Sequence, residues 1–260
     1  MSAATHKELS DALGKSGSRV SLVATEGIVD SLRAVKSAEE LKCLEAAAAL
    51  ADAALEHVLP QVQPGTREKR LAWDLESFMR QNGSEPLPFD IIVASGPNGA
   101  MPHAKPTDRA ILSNEPVVID LGAKVRGYCS DITRTICLGD GDSAFQRIYE
   151  IVLGAQLTAI ATIRAGMTGE KADQLGRTVI TQGGHGDDFG HGLGHGIGLA
   201  AHEEPRLGPG SSSVLADGMV FTVEPGIYIS GWGGVRIEDT VILERGRARP
   251  LTRAGKVRSQ

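Results

Sequence analysis

The sequence predicts an α+β fold with internal pseudo-symmetry, in which helices pack on a largely antiparallel sheet. Three observations predict it. Two helical stretches are followed by a pair of strand-like runs bearing carboxylates, and this order occurs twice. The 260 residues, 41% of them hydrophobic, suffice for a sizeable core in one large domain or two small ones. No short-period repeat or low-complexity tract interrupts the order.

Residues 1–17 read as a loose polar leader, and residues 18–36 hold a short apolar run, SLVATEGIVDSL, open to a strand or a helical turn. Ser37 with Glu40 three residues on has the capping-box pattern, so the Ala- and Leu-rich stretch 38–58 is expected as a helix. PGT at 64–66 breaks the chain, and Thr66 opens a second helical stretch, 66–81. Apolar and β-branched residues predict a strand over 89–95, ending in the loop SGPNGAMPHAKP. The runs 116–124 and 127–138 read as two strands about a short break. Helices are expected over 143–164 and 169–182, then a Gly- and His-rich loop over 183–198. Strand-like runs over 219–229 and 234–244 finish the core. The expected division is a short N-terminal leader, 1–35, and one main domain, 36–260.

A formal net charge of -5 offers no basic footprint for nucleic acid. The start, MSAATHKELSDALGKSG, lacks the apolar core of a secretory signal, and no uninterrupted apolar run is long enough to cross a membrane. Cys43, Cys129 and Cys137 are odd in number and form no CxxC pair, which argues against a disulfide framework or a thiolate zinc site. They fit a reducing cytoplasm.

In VVIDLGAKVRGYCSDITRT, residues 117–135, Asp120 and Asp131 stand eleven apart. A turn over 124–127 puts the hairpin midpoint between Val125 and Arg126 and sets the two aspartates directly opposite, with Cβ atoms about 4.5–5.5 Å apart. Such carboxylates can share one small cation; without it they repel, and one keeps a proton. Taken alone, the pair reads more readily as ordinary strand-edge aspartates. However, FTVEPGIYISGWGGVRIEDT repeats the arrangement, with Glu224 and Glu238 symmetric about Gly231. Thr222 shares a strand face with Glu224, and Arg236 with Glu238. Two hairpins each turning two acids inward are hard to assign to chance.

Three of the seven histidines, His191, His195 and His202, fall within FGHGLGHGIGLAAHEEP, residues 189–205. The interspersed glycines let the backbone approach a ligand closely. A lone histidine is more often packed or solvent-facing; beside four strand carboxylates the cluster reads as a site. One histidine with four carboxylates is rich in oxygen and free of sulfur, which suits Mn²⁺, Co²⁺, Fe²⁺ or Zn²⁺. Four carboxylate charges balance two divalent ions, and such a pair can activate water and polarise a carbonyl. Hydrolysis fits better than redox chemistry, since a facial-triad iron site asks for two histidines and one carboxylate.

The runs DLGAKVRGYCSDITRT, HGLGHGIGLAAHEEP, FTVEPGIYI and GGVRIED resemble, in chain order across 30–255, the pita-bread metallopeptidases: methionine aminopeptidase, prolidase and aminopeptidase P. The resemblance implies the pita-bread (creatinase/aminopeptidase) fold, a pseudo-two-fold antiparallel sheet with flanking helices. It implies two divalent metal ions held by Asp120, Asp131, His195, Glu224 and Glu238. His103, in SGPNGAMPHA, matches a histidine that contacts substrate or stabilises the intermediate; His202 matches one that hydrogen-bonds the scissile carbonyl. His191, four before His195, and Arg236, two before Glu238, are typical of the proline-specific branch. Arg236 would orient a ligand carboxylate or bind substrate, and Thr133, on the face of Asp131, offers a supporting hydroxyl. The activity implied is metal-dependent hydrolysis of the Xaa-Pro bond in dipeptides or short peptides. Activated water attacks the carbonyl before proline, Glu224 manages the proton, and His103, His191 and His202 bind substrate and oxyanion.

Members of this branch carry a substantial N-terminal domain that contributes to dimerisation and closes over the site, whereas here only residues 1–35 precede the first matching helix. A homodimer and the limit on substrate length are left open, and the start at Met1 without a tag favours a naturally short enzyme. Methionine aminopeptidase is the nearest alternative. Creatinase-like relatives, which need no metal, lack the full ligand set, and pita-bread binding modules lose ligands; all five stand here. His57 and His185, without a carboxylate partner in sequence, are expected in exposed or capping roles. Glu203 and Glu204 read as solvated charges, Trp232 as a candidate for the pocket mouth, and Cys129 and Cys137 as packed strand residues.

Overall fold

The computed structural model describes residues 1–25, 27–139 and 141–256; Glu26 of the early apolar run and the last four residues of the expected main domain lie outside them. The chain divides into two compact units, Met1–Leu32 and the remainder from Arg33. The first contains helix α1, Ala3–Lys15, where the sequence suggested a loose leader. Ser2 caps it, its hydroxyl accepting the Thr5 amide at 3.1 Å, and the helix buries none of its residues. Its large apolar side chains are only Leu9 and Leu13, with Ala12 beside them, a single turn of apolar spacing in an otherwise polar stretch. The early apolar run, left open between strand and helical turn, is helical only from its second part: α2 spans Ile28–Ala34, and residues 21–25 form neither helix nor strand.

In the second unit, α3 spans Ala38–Val58 and starts with the expected capping box: Ser37 and Glu40 each accept the other's amide. Such a cap contributes about 1 kcal/mol. Helix α4, Glu68–Gln81, buries Leu71, Leu75 and Met79 along one stripe. Both helices share a core with a three-stranded antiparallel sheet in which the second of the three strands lies in the middle. Its strands are β1 Ile92–Ser95, β2 Pro116–Leu121 and, after a small ribbon of β3 Lys124–Val125 and β4 Tyr128–Cys129, β5 Ile132–Cys137.

The second half repeats the plan. Helices α5, Ser143–Thr162, and α6, Gly169–Gln182, are capped by Asp142 and Thr168. The strands after them are β6 Gly194–Gly196, β7 Glu203–Leu207, β8 Val220–Val223, β9 Gly226–Ile229, β10 Gly233–Arg236, β11 Asp239–Glu244 and β12 Arg247–Pro250. They form a five-stranded sheet, order β12-β11-β8-β6-β7, and a β9–β10 ribbon, all antiparallel. Strand β6 lies within the stretch expected as loop, and β7 and β12 were not expected. Their sequences, EEPRL and RARP, are short, charged and proline-bearing and hold no β-branched or aromatic residue.

Register places the acids. Asp120 lies opposite Thr133, and Val125 opposite Tyr128. The turn is Arg126–Gly127, both at positive φ (51° and 83°), the two-residue turn whose twist matches a hairpin. The midpoint therefore falls one residue later than the sequence suggested. Asp131 is diagonal to Asp120, two residues from Thr133, and not directly across. In the second half, Val223 pairs with Asp239 and Gly226 with Arg236. That single register, centred on Gly231, puts Glu224 across from Glu238 as expected.

Candidate metal centre

A cavity of about 670 Å³ is lined by all five residues expected as ligands, the four acids Asp120, Asp131, Glu224 and Glu238 and the histidine His195, and also by His103, His191, His202 and Arg236. His103 and His202 are exposed, while Asp131 and Glu238 are only 5% and 1% accessible. Ligand atoms of Asp131, His195 and Glu238 all lie within 4.8 Å of one another. His195 Nε2 stands 3.3 Å from Glu224 Oε1 and 3.7 Å from Asp131 Oδ2.

The local sequence explains this placement. A Cβ on Gly194 or Gly196 would sit 2.0 Å from the carbonyl oxygen of Thr222 or Glu204, so only glycines beside His195 let β6 lie so close to its neighbours. The His195 ring faces its own strand through Nδ1, 3.1 Å from the Gly196 carbonyl; a proton there leaves the Nε2 lone pair for a cation shared with the acids. Thr222 accepts the His195 amide at 3.1 Å and donates to Glu224 Oε1 at 2.9 Å. The Thr133 hydroxyl, expected behind Asp131, instead donates to Glu238 Oε2 at 2.6 Å.

Arg236 heads a directed chain. Its guanidinium donates to Asp120 Oδ2 at 2.6 Å, Thr133 Oγ1 at 3.0 Å, the Pro102 carbonyl at 3.1 Å and the Tyr228 hydroxyl at 2.9 Å. Tyr228 lies 2.8 Å from His191 Nε2, and His191 Nδ1 lies 2.8 Å from the Gly192 carbonyl. With the proton on Nδ1, the Tyr228 hydroxyl donates to His191, and both ring nitrogens are engaged within the protein. Sequence reasoning passed over Tyr228. The signal was there, since it continues the face of Glu224 at the period of two.

Charge is concentrated here. Burial raises Asp131 and Glu238 well above the usual carboxylate range, and nearby carboxylates push the same way. Asp120 is also raised by burial, with Arg236 opposing. Burial disfavours the Glu224 charge too, but the hydrogen bond and charge of His195 bring it down to about 2. Against its own burial, His195 is lifted to about 9 by Glu224. His191 and His202 are pushed down, first by burial.

These residues fit divalent cations. Asp120 and Glu238 each have one oxygen held by the protein, by Arg236 and Thr133. The other oxygens, Asp120 Oδ1 and Glu238 Oε1, are buried without a hydrogen-bond partner among the described residues. An unsatisfied buried acceptor costs about 1–3 kcal/mol, more when charged, and a hard cation supplies what it lacks.

The other sequence expectations divide. Glu203 is not a solvated charge: its side chain is 6% accessible and binds Lys36 Nζ at 2.8 Å and Arg33 Nη2 at 2.5 Å. His185 has a carboxylate partner after all, Asp188 at 2.8 Å, and His57 stacks on Phe78. Trp232 packs against the core between α5 and the β9–β10 ribbon and does not line the cavity. Cys129 and Cys137 are buried.

A helix-flanked antiparallel scaffold with an oxygen-rich, histidine-containing acid cluster defines a metal-dependent hydrolase. The model of metallopeptidase family M24 matches residues 42–245, and the chain belongs to that family, whose membership implies divalent metal ions. A Xaa-Pro dipeptidase of Pyrococcus furiosus is 44% identical over 228 residues, 88% of this chain and 66% of that protein. The solved Xaa-Pro dipeptidase from Bacillus anthracis superposes with a TM-score of 0.93 at 43% identity, covering 100% of this chain and 72% of that one. An X-Pro aminopeptidase from Thermotoga maritima gives a TM-score of 0.92 at 36% identity, covering 100% of this chain and 73% of that one. The fold is thus the pita-bread fold. The chain spans about two thirds of the length of the curated relatives it matches.

Proposed function

We propose that the protein is a metallopeptidase that hydrolyses the Xaa-Pro bond of dipeptides or short peptides, using two divalent ions drawn from Mn²⁺, Co²⁺, Zn²⁺ or Fe²⁺. The observation that carries this reading is the convergence of Asp120, Asp131, His195, Glu224 and Glu238 on one cavity, with Asp120 Oδ1 and Glu238 Oε1 left open. Names of similar proteins support the substrate class.

When bound, the ions supply a Lewis acid for the carbonyl and a water nucleophile active at neutral pH. The protein does the rest. Glu224, held ionised beside His195, takes the proton released by the attacking water and delivers it towards the proline nitrogen. His103 and His202, exposed in the cavity, donate to the substrate carbonyl as negative charge develops on its oxygen. Phe89, Ile92 and Pro102 give the cavity an apolar wall suited to a pyrrolidine ring. His191 and Arg236 act by position: Arg236 aims Asp120, and His191 anchors Tyr228. With Arg236 so engaged, a substrate carboxylate falls to Lys105, 3.7 Å from the Asp90 carboxylate, or to Arg206, which spends one nitrogen on the Pro209 carbonyl at 3.2 Å; both are exposed cations that line the cavity.

No helix among the described residues is long and apolar enough to cross a membrane. The free thiols of Cys43, Cys129 and Cys137 fit a cytoplasmic enzyme, and a homodimer is part of the proposal. The test is hydrolysis of Gly-Pro and Ala-Pro against Met-Ala-Ser, with Mn²⁺ or Co²⁺ supplied. Cleavage of the proline peptides supports the reading; preference for Met-Ala-Ser assigns a methionine aminopeptidase instead.

A further inference from the structure

Glu68 stands at the head of the buried stripe of α4, in line with Leu71, Leu75 and Met79, where an apolar residue would be expected. It is 0% accessible. Its carboxylate accepts from the Ser95 amide at 2.7 Å and hydroxyl at 2.8 Å, and from the Thr107 amide at 2.9 Å and hydroxyl at 2.6 Å. Asn98 Nδ2 lies 3.1 Å from both of its oxygens. Ser95 and Thr107 are the two ends of the loop 96–106, which carries Pro102 and His103. One carboxylate therefore ties the loop shut at its base.

The loop then builds upward in short steps. The Met101 amide donates to the Asn98 carbonyl, and the Ala104 amide to the Met101 carbonyl, each at 3.1 Å. The Pro102 carbonyl accepts from Arg236 at 3.1 Å. A Cβ on Gly234 would lie 2.1 Å from the Gly99 carbonyl oxygen, so the loop rests directly on the strand that carries Arg236. His191 and His195 are fixed by hydrogen bonds to their ring nitrogens. No ring hydrogen bond holds His103 among the described residues, so its place depends on the loop that carries it.

We propose that Glu68 is a positioning residue for the reaction: by gathering both ends of the 96–106 loop it sets where His103 and the Pro102 carbonyl stand over the acid cluster. This rests on the reading of His103 as a substrate-contacting group. Glu68 touches no cavity atom and acts only through the loop. A glutamine there keeps the shape but turns an amide donor onto the backbone amide of Ser95 or of Thr107, one on each oxygen of the carboxylate, and a backbone amide can only donate.

The test compares the metal-loaded full chain with Glu68→Gln, His103→Ala and the double variant. In Glu68→Gln, kcat for Ala-Pro is expected to fall about 10- to 100-fold, as misplacement of a catalytic group by about 1 Å does. His103→Ala should then cost far less in the Glu68→Gln background than in the parent, because the two act as one unit. Unchanged kcat in Glu68→Gln, or equal His103→Ala losses in both backgrounds, overturns the proposal. Hydrogen exchange supplies a readout independent of peptide cleavage: amides of 96–107 should lose protection in Glu68→Gln while those of β8 and β11 keep theirs. Uniform loss across the unit, or no change in the loop, overturns it as well. Asn98→Ala, which removes one donor and leaves the carboxylate, should show the same loop-confined pattern more weakly. If the parent cleaves no Xaa-Pro peptide, the substrate reading fails while the exchange data still decide the clamp.

Discussion

Arg236 Nη2 donates to Asp120 Oδ2 at 2.6 Å, and both side chains are buried. The contact uses one oxygen of Asp120 and leaves Oδ1 open to the acid cluster. Removing one partner of a buried pair costs about 3–5 kcal/mol. Arg236→Gln is expected to lower the melting temperature and weaken metal affinity about 10- to 100-fold, the usual effect of losing a group that orients a ligand. Arg236→Lys should rescue little, since one ammonium cannot reach Asp120, Thr133, Pro102 and Tyr228 together. Thermal melting measures the first effect and competition with a chelator the second; unchanged affinity in Arg236→Gln would contradict the orienting role.

Glu224 is expected to lose its proton-handling role in Glu224→Gln without loss of fold. Turnover of Ala-Pro should drop at least about 10²-fold. Far-ultraviolet circular dichroism should match the parent. Thr222→Val, which removes the hydroxyl 2.9 Å from Glu224, should lower turnover far less. Full activity in Glu224→Gln would remove it from the mechanism.

Asp131 and Glu238 hold protons more tightly in the folded, metal-free protein than in the unfolded chain, and His195, lifted to about 9, does the same. Folded protein thus binds more protons than unfolded protein above the usual carboxylate range. The contribution of these groups to metal-free stability is therefore fully present at low pH and is lost as pH rises through their raised values. Divalent ions must displace the same protons, so the stabilisation they bring grows over that window. Calorimetric melting with and without Mn²⁺, at about pH 5 and about pH 8, should show the larger metal-induced gain at the higher pH. Equal gains would contradict the proton count.

Lys105 and Arg206 offer a direct reading of substrate length. If either anchors the terminal carboxylate of a dipeptide, Lys105→Ala or Arg206→Ala should raise KM for Ala-Pro about 10-fold or more and leave kcat nearly unchanged. A tetrapeptide beginning Ala-Pro, whose carboxylate lies farther out, should be affected less. Equal effects on both peptides would place the anchor elsewhere.

Much of this site was legible in the sequence because strand periodicity and turn composition are local. Glu224 and Glu238 were paired correctly since SGWGG centres the hairpin on Gly231. The first hairpin was placed one residue off because nothing in the string shows that Arg126, like Gly127, takes positive φ. Helix α3 is legible from its cap and its Ala- and Leu-rich composition, whereas α1 buries nothing and carries only Leu9 and Leu13 as large apolar residues. Glu203 and Glu68 were missed for a different reason. Their partners Lys36, Arg33, Ser95 and Thr107 lie on other elements, and a carboxylate buried by distant donors looks, in sequence, like one in water.

The most direct measurement is proline release from Ala-Pro as Mn²⁺ is titrated into chelator-treated protein. The account predicts no release without the ion, and activity that rises until two equivalents are bound. Proline release that survives complete chelation, or none at any metal loading, would contradict a site in which Asp120, Asp131, His195, Glu224 and Glu238 hold catalytic metal.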